Sequence, residues 1–170
     1  MIERLSPQDR LVLHALFDKA NDRFKKGMLR ESIPAYEEVV KSTLPDPDKL
    51  KDKSKKQVAI AIRKLRALQA IYERKADEAY KEGRLKDAII QLQKARRIDP
   101  DNQSINGRIA STINELRKQM QIYYHESIIE ESIGELEVAK NKWKKIIETS
   151  VPEEEYYIKS RVKLEKHGYL

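Results

Sequence analysis

The chain has 170 residues and a net charge of +7, and 37% of its residues are charged, whereas it has only five glycines. It contains no cysteine, which excludes a disulfide framework, a thiolate zinc site and a cysteine nucleophile. No apolar run approaches the ~20 residues that a membrane-spanning helix needs, and the amino terminus lacks a signal-peptide core. We therefore expect no membrane span and a cytoplasmic location.

Helical patterns separated by glycine and proline account for the whole chain. Long charged side chains favour helices because they lose little rotamer freedom there. Ser6 followed by Pro7 predicts the first helix start, with Ser6 as N-cap. No segment has the pattern of a strand, so the sequence predicts an all-α fold. The predicted helices span about 7–26, 30–42, 48–82, 85–98, 103–132, 135–148 and 152–167.

Two of these helices are unusually long. Nothing between Asp48 and Glu82 breaks a helix, and apolar residues recur at spacings of three and four from Val58 to Ala79. We expect this helix and the helix over 103–132 to be continuous.

Three glycines separate paired helices, and the residues around them repeat. Small residues lie seven before and five after each glycine, a large residue lies nine after, and prolines follow each second helix. The matching sets are Gly27, Gly83 and Gly134; Ala20, Ala76 and Ser127; Ser32, Ala88 and Ala139; Tyr36, Leu92 and Trp143; and Pro45, Pro100 and Pro152.

This pattern resembles the tetratricopeptide repeat, most closely from Ala76 through Gly83 to Asn102, and the resemblance covers most of residues 11–150. It implies hairpins at about 7–43, 68–98 and 118–148 with a capping helix at 152–167, in a single repeat domain over 1–170. In the third unit, Glu131 stands where Phe24 and Tyr80 supply an aromatic ring. The closing run from Glu135 through Trp143 to the basic residues 163–168 also resembles the tails of bacterial forkhead-associated signalling proteins, which would make the chain a fragment of a larger protein.

The spacing departs from that family. Tetratricopeptide repeats recur every ~34 residues, but Gly83 follows Gly27 by 56 residues and Gly134 follows Gly83 by 51. The surplus lies in the two long helices. Each long helix would then complete one hairpin's packing with its first half and begin the next hairpin with its second half. We expect an elongated array of three-helix units that share these long helices.

The resemblance also implies a partner-binding groove along the first helix of each hairpin. Its positions here are Phe17, Asn21, Lys25, Asp77, Lys81, Tyr124 and Ile128. The clamp with which some family members hold a terminal carboxylate is disfavoured, because only Asn21 fits it.

A basic segment is the strongest charge feature, with nine basic and three acidic residues between Lys41 and Arg66. It is either a solvated helix face or a docking patch for an acidic protein, a lipid surface or nucleic acid. The run has no interleaved aromatic residues and no reading motif, which argues against specific nucleic-acid recognition. Its candidate residues are Lys51, Lys53, Lys55, Lys56 and Arg63.

No pattern predicts catalysis or a cofactor. His14, His125 and His167 are far apart and have no partners at ligand spacing, and no Gly-rich phosphate loop or nucleophile elbow occurs. Carboxylate clusters such as 153–155 are interpreted as solvated faces or helix N-terminal charges. Trp143 is expected in the core. The sequence thus predicts a scaffold that binds protein partners in a signalling, motility or secretion system, with self-association left open. The alternative is a basic helical module that binds nucleic acid or an anionic membrane.

Overall fold

The computed structural model describes residues 7–170, and helices make up 82% of it. The prediction of an all-α chain is confirmed, since no strand occurs in the described range. The N-cap predicted at Ser6 lies outside the described residues. The helices are α1 (Pro7–Lys25), α2 (Leu29–Lys41), α3 (Leu50–Lys81), α4 (Leu85–Ile98), α5 (Gln103–Ser132), α6 (Leu136–Thr149) and α7 (Glu155–Lys166).

The turns that follow α1, α3 and α5 share one geometry. Gly27, Gly83 and Gly134 have φ values of +77°, +73° and +87°, which a residue with a Cβ adopts only with strain. The residue after each glycine donates its N–H to the carbonyl oxygen four residues before the glycine, at 2.9–3.0 Å. This bond belongs to the Schellman motif, which ends a helix and satisfies one of its last carbonyls.

The residues that repeat around these glycines are buried. The small residues on facing helices are at most 1% exposed, which allows the two helices of each pair to approach closely. The large residues nine positions after each glycine are buried beside them, and these are Tyr36, Leu92 and Trp143.

The described residues fall into two compact units, which divide after Ile71. The first unit holds α1, α2 and the beginning of α3. Leu13, Val39 and Leu50, one from each helix, form one core cluster. A second cluster is centred on Tyr36, and Val58 of α3 packs against it. Both clusters join the first part of α3 to the α1–α2 hairpin.

The second unit holds the end of α3 and all of α4 to α7. Ala76 of α3 packs against Leu92 of α4 and Ile109 of α5. Beyond that point α5 packs against α6 and α7, through clusters that contain Met120 and Trp143. Leu85 and Ile89 of α4 belong to the first of these clusters, so α5 contacts α4, α6 and α7 there. The elongation predicted for the array depends on how the two units are arranged, and it stays a prediction.

The last helix begins later than predicted. Pro152 lies in a turn, and α7 starts at Glu155. The cause is Glu154, a fully buried N-cap whose carboxylate accepts the N–H groups of Tyr156 and Tyr157 at 3.0 Å each. The interpretation of this acidic cluster as a solvated face is therefore wrong for Glu154, and the N-terminal charge interpretation fits it.

Within the described part of the chain, no helix has both the length and the apolar character needed to cross a membrane.

Candidate partner-binding surfaces

In the first hairpin, two of the three predicted groove residues take part in internal packing. Phe17 packs against both core clusters of the first unit, with its ring edge-on to Tyr36 at 6.0 Å between centroids. The side-chain oxygen of Asn21 accepts the hydroxyl proton of Tyr36 at 2.6 Å, which ties α1 to α2. Lys25, at the end of α1, is exposed. Only Lys25 among the three points freely to solvent.

In the second hairpin, the first half of α5 covers part of the predicted groove. Arg108 of α5 forms ion pairs with Asp77 and, at 3.3 Å, with Glu73 of α3. The hydroxyl group of Tyr80 donates to Glu115 of α5 at 2.6 Å. Lys81, in contrast, is exposed. Both contacts come from the first half of α5.

In the third hairpin, α7 covers the corresponding face. The ring of Tyr124 lies 5.3 Å from that of Tyr156 and packs against two core clusters. Ile128 is half-buried. The adjacent Tyr123 is 39% exposed. The buried stripe runs from Met120 to Ser127, so Tyr124 and not Tyr123 faces α7.

In the third unit, Glu131 occupies the position that Phe24 and Tyr80 hold in the first two, and it forms polar contacts with α7 and the residue after it. Glu131 accepts hydrogen bonds from Lys163 at 2.5 Å and from the His167 ring at 2.8 Å. His167 in turn stacks on Trp143, 5.5 Å between centroids and 12° from parallel. Burial alone raises the pKa of Glu131, but the hydrogen bonds and charges of Lys163 and His167 outweigh it and hold that pKa below its ordinary value. The carboxylate thus fastens α7 to the hairpin.

A second carboxylate network fixes the start of α3. The Asp46 side chain accepts the N–H groups of Leu50 and Lys51 at 2.7 and 2.8 Å. Asp48 bonds the His14 ring at 2.8 Å and the Arg10 guanidinium at 2.8 and 2.9 Å. These hydrogen bonds, from His14 first and Arg10 second, lower the pKa of Asp48. Asp46 is therefore bound to the first turn of α3, and Asp48 is bound to α1.

The basic segment divides into engaged and free side chains. Lys51 donates to the Leu44 carbonyl oxygen at 2.9 Å, and Lys55 lies 3.9 Å from Asp52. The remaining three candidates, Lys53, Lys56 and Arg63, are exposed, and none forms an ion pair with any residue that the structure describes. Their spacing of three and seven residues places them on one side of α3. We call these three residues the basic stripe.

One apolar surface was not identified from the sequence. Ile122, Ile129 and Ile133 lie on one side of α5 and are 62%, 62% and 70% exposed. In the first half of α5, Glu115 lies on this side and contacts the end of α3. The spacing of seven and four residues could have revealed the stripe, but it is hidden among the other apolar residues of a long amphipathic helix.

No cluster of three or more potential metal-ligating side chains occurs in residues 7–170. Comparison with known protein families, with curated proteins and with solved structures finds no match for this chain.

Proposed function

We propose that this chain is a scaffold of tetratricopeptide-like hairpins that binds a protein partner of acidic character through the basic stripe. The observation that carries this proposal is the stripe itself, in which Lys53, Lys56 and Arg63 are exposed on one side of α3 without a neutralising carboxylate among the described residues. Unpaired surface charges raise the rate of association with a surface of opposite sign.

The hairpin geometry supports the repeat part of the proposal. Three turns share the same φ at glycine and the same hydrogen bond, and the equivalent small residues are all buried. The first part of α3 packs on the first hairpin, the first half of α5 on the second, and α7 on the third. We infer three three-helix units in which α3 and α5 each serve two hairpins.

This arrangement moves the binding surface away from the family's usual groove. Of the groove candidates, Phe17, Asn21, Asp77 and Tyr124 make contacts inside the protein. A partner that used them would compete with these internal contacts, which are Tyr36 for Phe17 and Asn21, Arg108 for Asp77 and Tyr156 for Tyr124. The stripe on α3 and the apolar side of α5 involve no such competition, so we assign partner binding to the outer surfaces of the long helices.

Affinity capture with a charge-reversed variant tests the proposal. The parent, the triple variant Lys53→Glu/Lys56→Glu/Arg63→Glu and the control Lys118→Glu, which changes an exposed lysine of α5, are immobilised and exposed to nuclease-treated lysate of the source cell. We expect the parent and the control to retain the same acidic protein, and the triple variant to lose it at least tenfold.

The alternative of nucleic-acid or membrane binding rests on the same stripe and gives different results. Phosphate binding falls steeply with salt because each neutralised phosphate releases counterions. Retention of RNA or DNA before nuclease treatment, with no protein retained afterwards, would replace the acidic protein by nucleic acid. Retention of lipid vesicles alone would favour the membrane.

A further inference from the structure

The middle of α3 is apolar on more than one side. Ten of the fourteen residues over 58–71 are apolar. Towards the α1–α2 hairpin, Val58 packs beside Tyr36. Ile62 and Ile71 lie on opposite sides of the helix, and they are 36% and 41% exposed. Because a helix that is apolar all round is normally covered all round, this composition indicates a contact beyond the one with the hairpin.

The charges along this part of α3 are all basic. Residues 53–71 include six basic residues and no acidic one. Lys55 lies 3.9 Å from Asp52, and Lys64 lies over the Phe24 ring, 5.0 Å from its centroid. The remaining four are exposed and have no partner among the described residues; they are Lys53, Lys56, Arg63 and Arg66.

The rest of the first unit does not neutralise these four charges. Glu37 and Lys41 of α2, which lie beside Lys55 and Val58, form an ion pair with each other at 3.7 Å. Residues 7–71 contain fifteen basic and nine acidic residues, whereas residues 72–170 contain nineteen and eighteen. The positive charge is therefore concentrated in the first unit, and a partner that matches this surface is acidic.

The four free charges form two pairs along α3. In each pair the residues are three apart, and the pair of Arg63 and Arg66 follows the first pair by ten residues, which is about 15 Å along the axis. Four, seven and eight residues after Arg63, the same side of the helix continues with Ala67, Ala70 and Ile71, all exposed. The basic stripe therefore runs into an apolar patch on one side of α3.

These features favour a helix of a protein over a lipid surface. Helices that lie in a membrane interface carry Trp, Phe or Leu on their apolar side. Here that side has two alanines and Ile71, which insert little into a bilayer but allow another helix to approach closely. A partner helix has the same rise per residue as α3, so carboxylates three and ten residues apart meet the two basic pairs in register.

We propose that an acidic amphipathic helix of the partner lies along α3 over residues 53–71. Its carboxylates contact the two basic pairs, and its apolar residues contact Ala67, Ala70 and Ile71. The proposal rests on the scaffold function above and specifies the chemistry and secondary structure of the partner segment. Removal of the apolar patch from water contributes to affinity, and the basic pairs select acidic partners.

Nuclear magnetic resonance of the ¹⁵N-labelled chain tests the site with two defined peptides of about 20 residues, long enough to span residues 53–71. The amphipathic peptide, built from Ala, Gln, Glu and Leu, has its Glu and Leu residues on one side of a helix. The shuffled peptide has the same composition, with Glu and Leu distributed all round. We expect the amphipathic peptide to cause saturable shifts at the amides of Lys56, Arg63, Ala67 and Ile71, with an affinity at least tenfold higher than that of the shuffled peptide.

Three variants separate helix docking from general attraction of acidic peptides. Lys56→Glu should weaken binding of the amphipathic peptide at least fivefold. The matched control Lys55→Glu makes the same change of charge 100° around the helix, beside Asp52, and should weaken binding less than twofold. Ile71→Gln, at a 41% exposed position, should weaken binding of the amphipathic peptide at least threefold and leave the shuffled peptide unaffected.

The outcomes for the two proposals are distinct. Equal binding of the two peptides, equal effects of Lys55→Glu and Lys56→Glu, or no saturable shift along α3 would each overturn helix docking and leave the basic stripe standing. Tighter binding to anionic phospholipid vesicles than to the amphipathic peptide at the same salt would replace the partner helix by a membrane. The lysate capture described above is independent, because a triple variant that retains the parent's partner would overturn the proposed function even where the peptide binds.

Discussion

Truncation of Trp143 is the most severe test of the repeat alignment, which makes Trp143 equivalent to Tyr36 and Leu92. Trp143 lies nine residues after Gly134, is fully buried, and packs between Ala139 and Leu164 with its ring stacked on His167. A buried aromatic side chain covers about 150–250 Å², which at about 25 cal/mol per Å² is worth about 4–6 kcal/mol. Alanine keeps a small part of that area. Trp143→Ala should therefore lower the free energy of unfolding by about 3–5 kcal/mol, as other large aromatic truncations do.

Urea and thermal unfolding followed by far-ultraviolet circular dichroism measure this loss without the tryptophan signal. For a chain of this size the melting temperature should fall by roughly 6–20 °C, at about 2–4 °C per kcal/mol. The indole N–H of Trp143 has no hydrogen-bond partner among the described residues, so Trp143→Phe should lose only packing and cost less than half as much. Ile122→Ala, at a position 62% exposed, serves as control and should change stability by at most about 0.5 kcal/mol.

If Trp143→Ala had the same melting temperature as the Ile122→Ala control, the repeat alignment would be refuted. The position would then be peripheral, and the equivalence of Trp143 with Tyr36 and Leu92 would lose its basis.

Three further predictions follow from the same packing. Ala88 is 1% exposed, so Ala88→Leu should overpack the facing helices and lower the free energy of unfolding by about 1–3 kcal/mol, measured by chemical denaturation. A variant as stable as the parent would contradict a close approach of the helices at this position. Gly83→Ala should lower the free energy of unfolding by about 1–2 kcal/mol, because the φ of +73° is strained for alanine although no atom lies within 4 Å of the added Cβ. An unchanged unfolding midpoint would argue against the left-handed turn. Because the folded-state pKa of Glu131 is depressed, its stabilisation is complete above the unfolded-state pKa of about 4.3 and disappears as the pH falls through the folded-state value. Glu131→Gln should therefore lower stability at pH 7 by about 1–3 kcal/mol, with the difference from the parent vanishing in acid, and a deficit independent of pH would contradict an ionic role.

Helix positions could be predicted from the sequence because local signals determine them. Glycines with positive φ end α1, α3 and α5, and the absence of Gly or Pro between Asp48 and Glu82 allows a helix of 32 residues. Seven helices were expected, and seven occur in residues 7–170 with bounds displaced by at most a few residues. The burial of Trp143 likewise followed from the repeat pattern.

Contacts between distant residues could not be predicted in the same way. The pairing of Arg108 with Asp77 depends on which side of α3 the first half of α5 covers, and helical periodicity does not specify that side. Periodicity alone does not decide which of the adjacent Tyr123 and Tyr124 faces α7, because neighbouring residues differ by only 100° around a helix. The role of Glu131 needed α7 to bring Lys163 and His167 to it, across more than 30 residues.

The basic stripe shows the same limit. Five basic residues of one segment look alike in the sequence. Only the structure shows that Lys51 caps a loop carbonyl and Lys55 approaches Asp52. The charges available to a partner are therefore those of Lys53, Lys56 and Arg63, which lie on one side of α3.

The association rate of the captured acidic partner is the most direct test of the account. Surface electrostatic attraction acts mainly on association and weakens with ionic strength. Stopped-flow measurement over a range of salt concentrations should show a rate that falls steeply for the parent and for Lys118→Glu. For the triple variant Lys53→Glu/Lys56→Glu/Arg63→Glu, the rate at low salt should be at least tenfold lower and nearly independent of salt. Equal association rates and equal salt dependence for the parent and the triple variant would contradict the assignment of partner binding to the basic stripe.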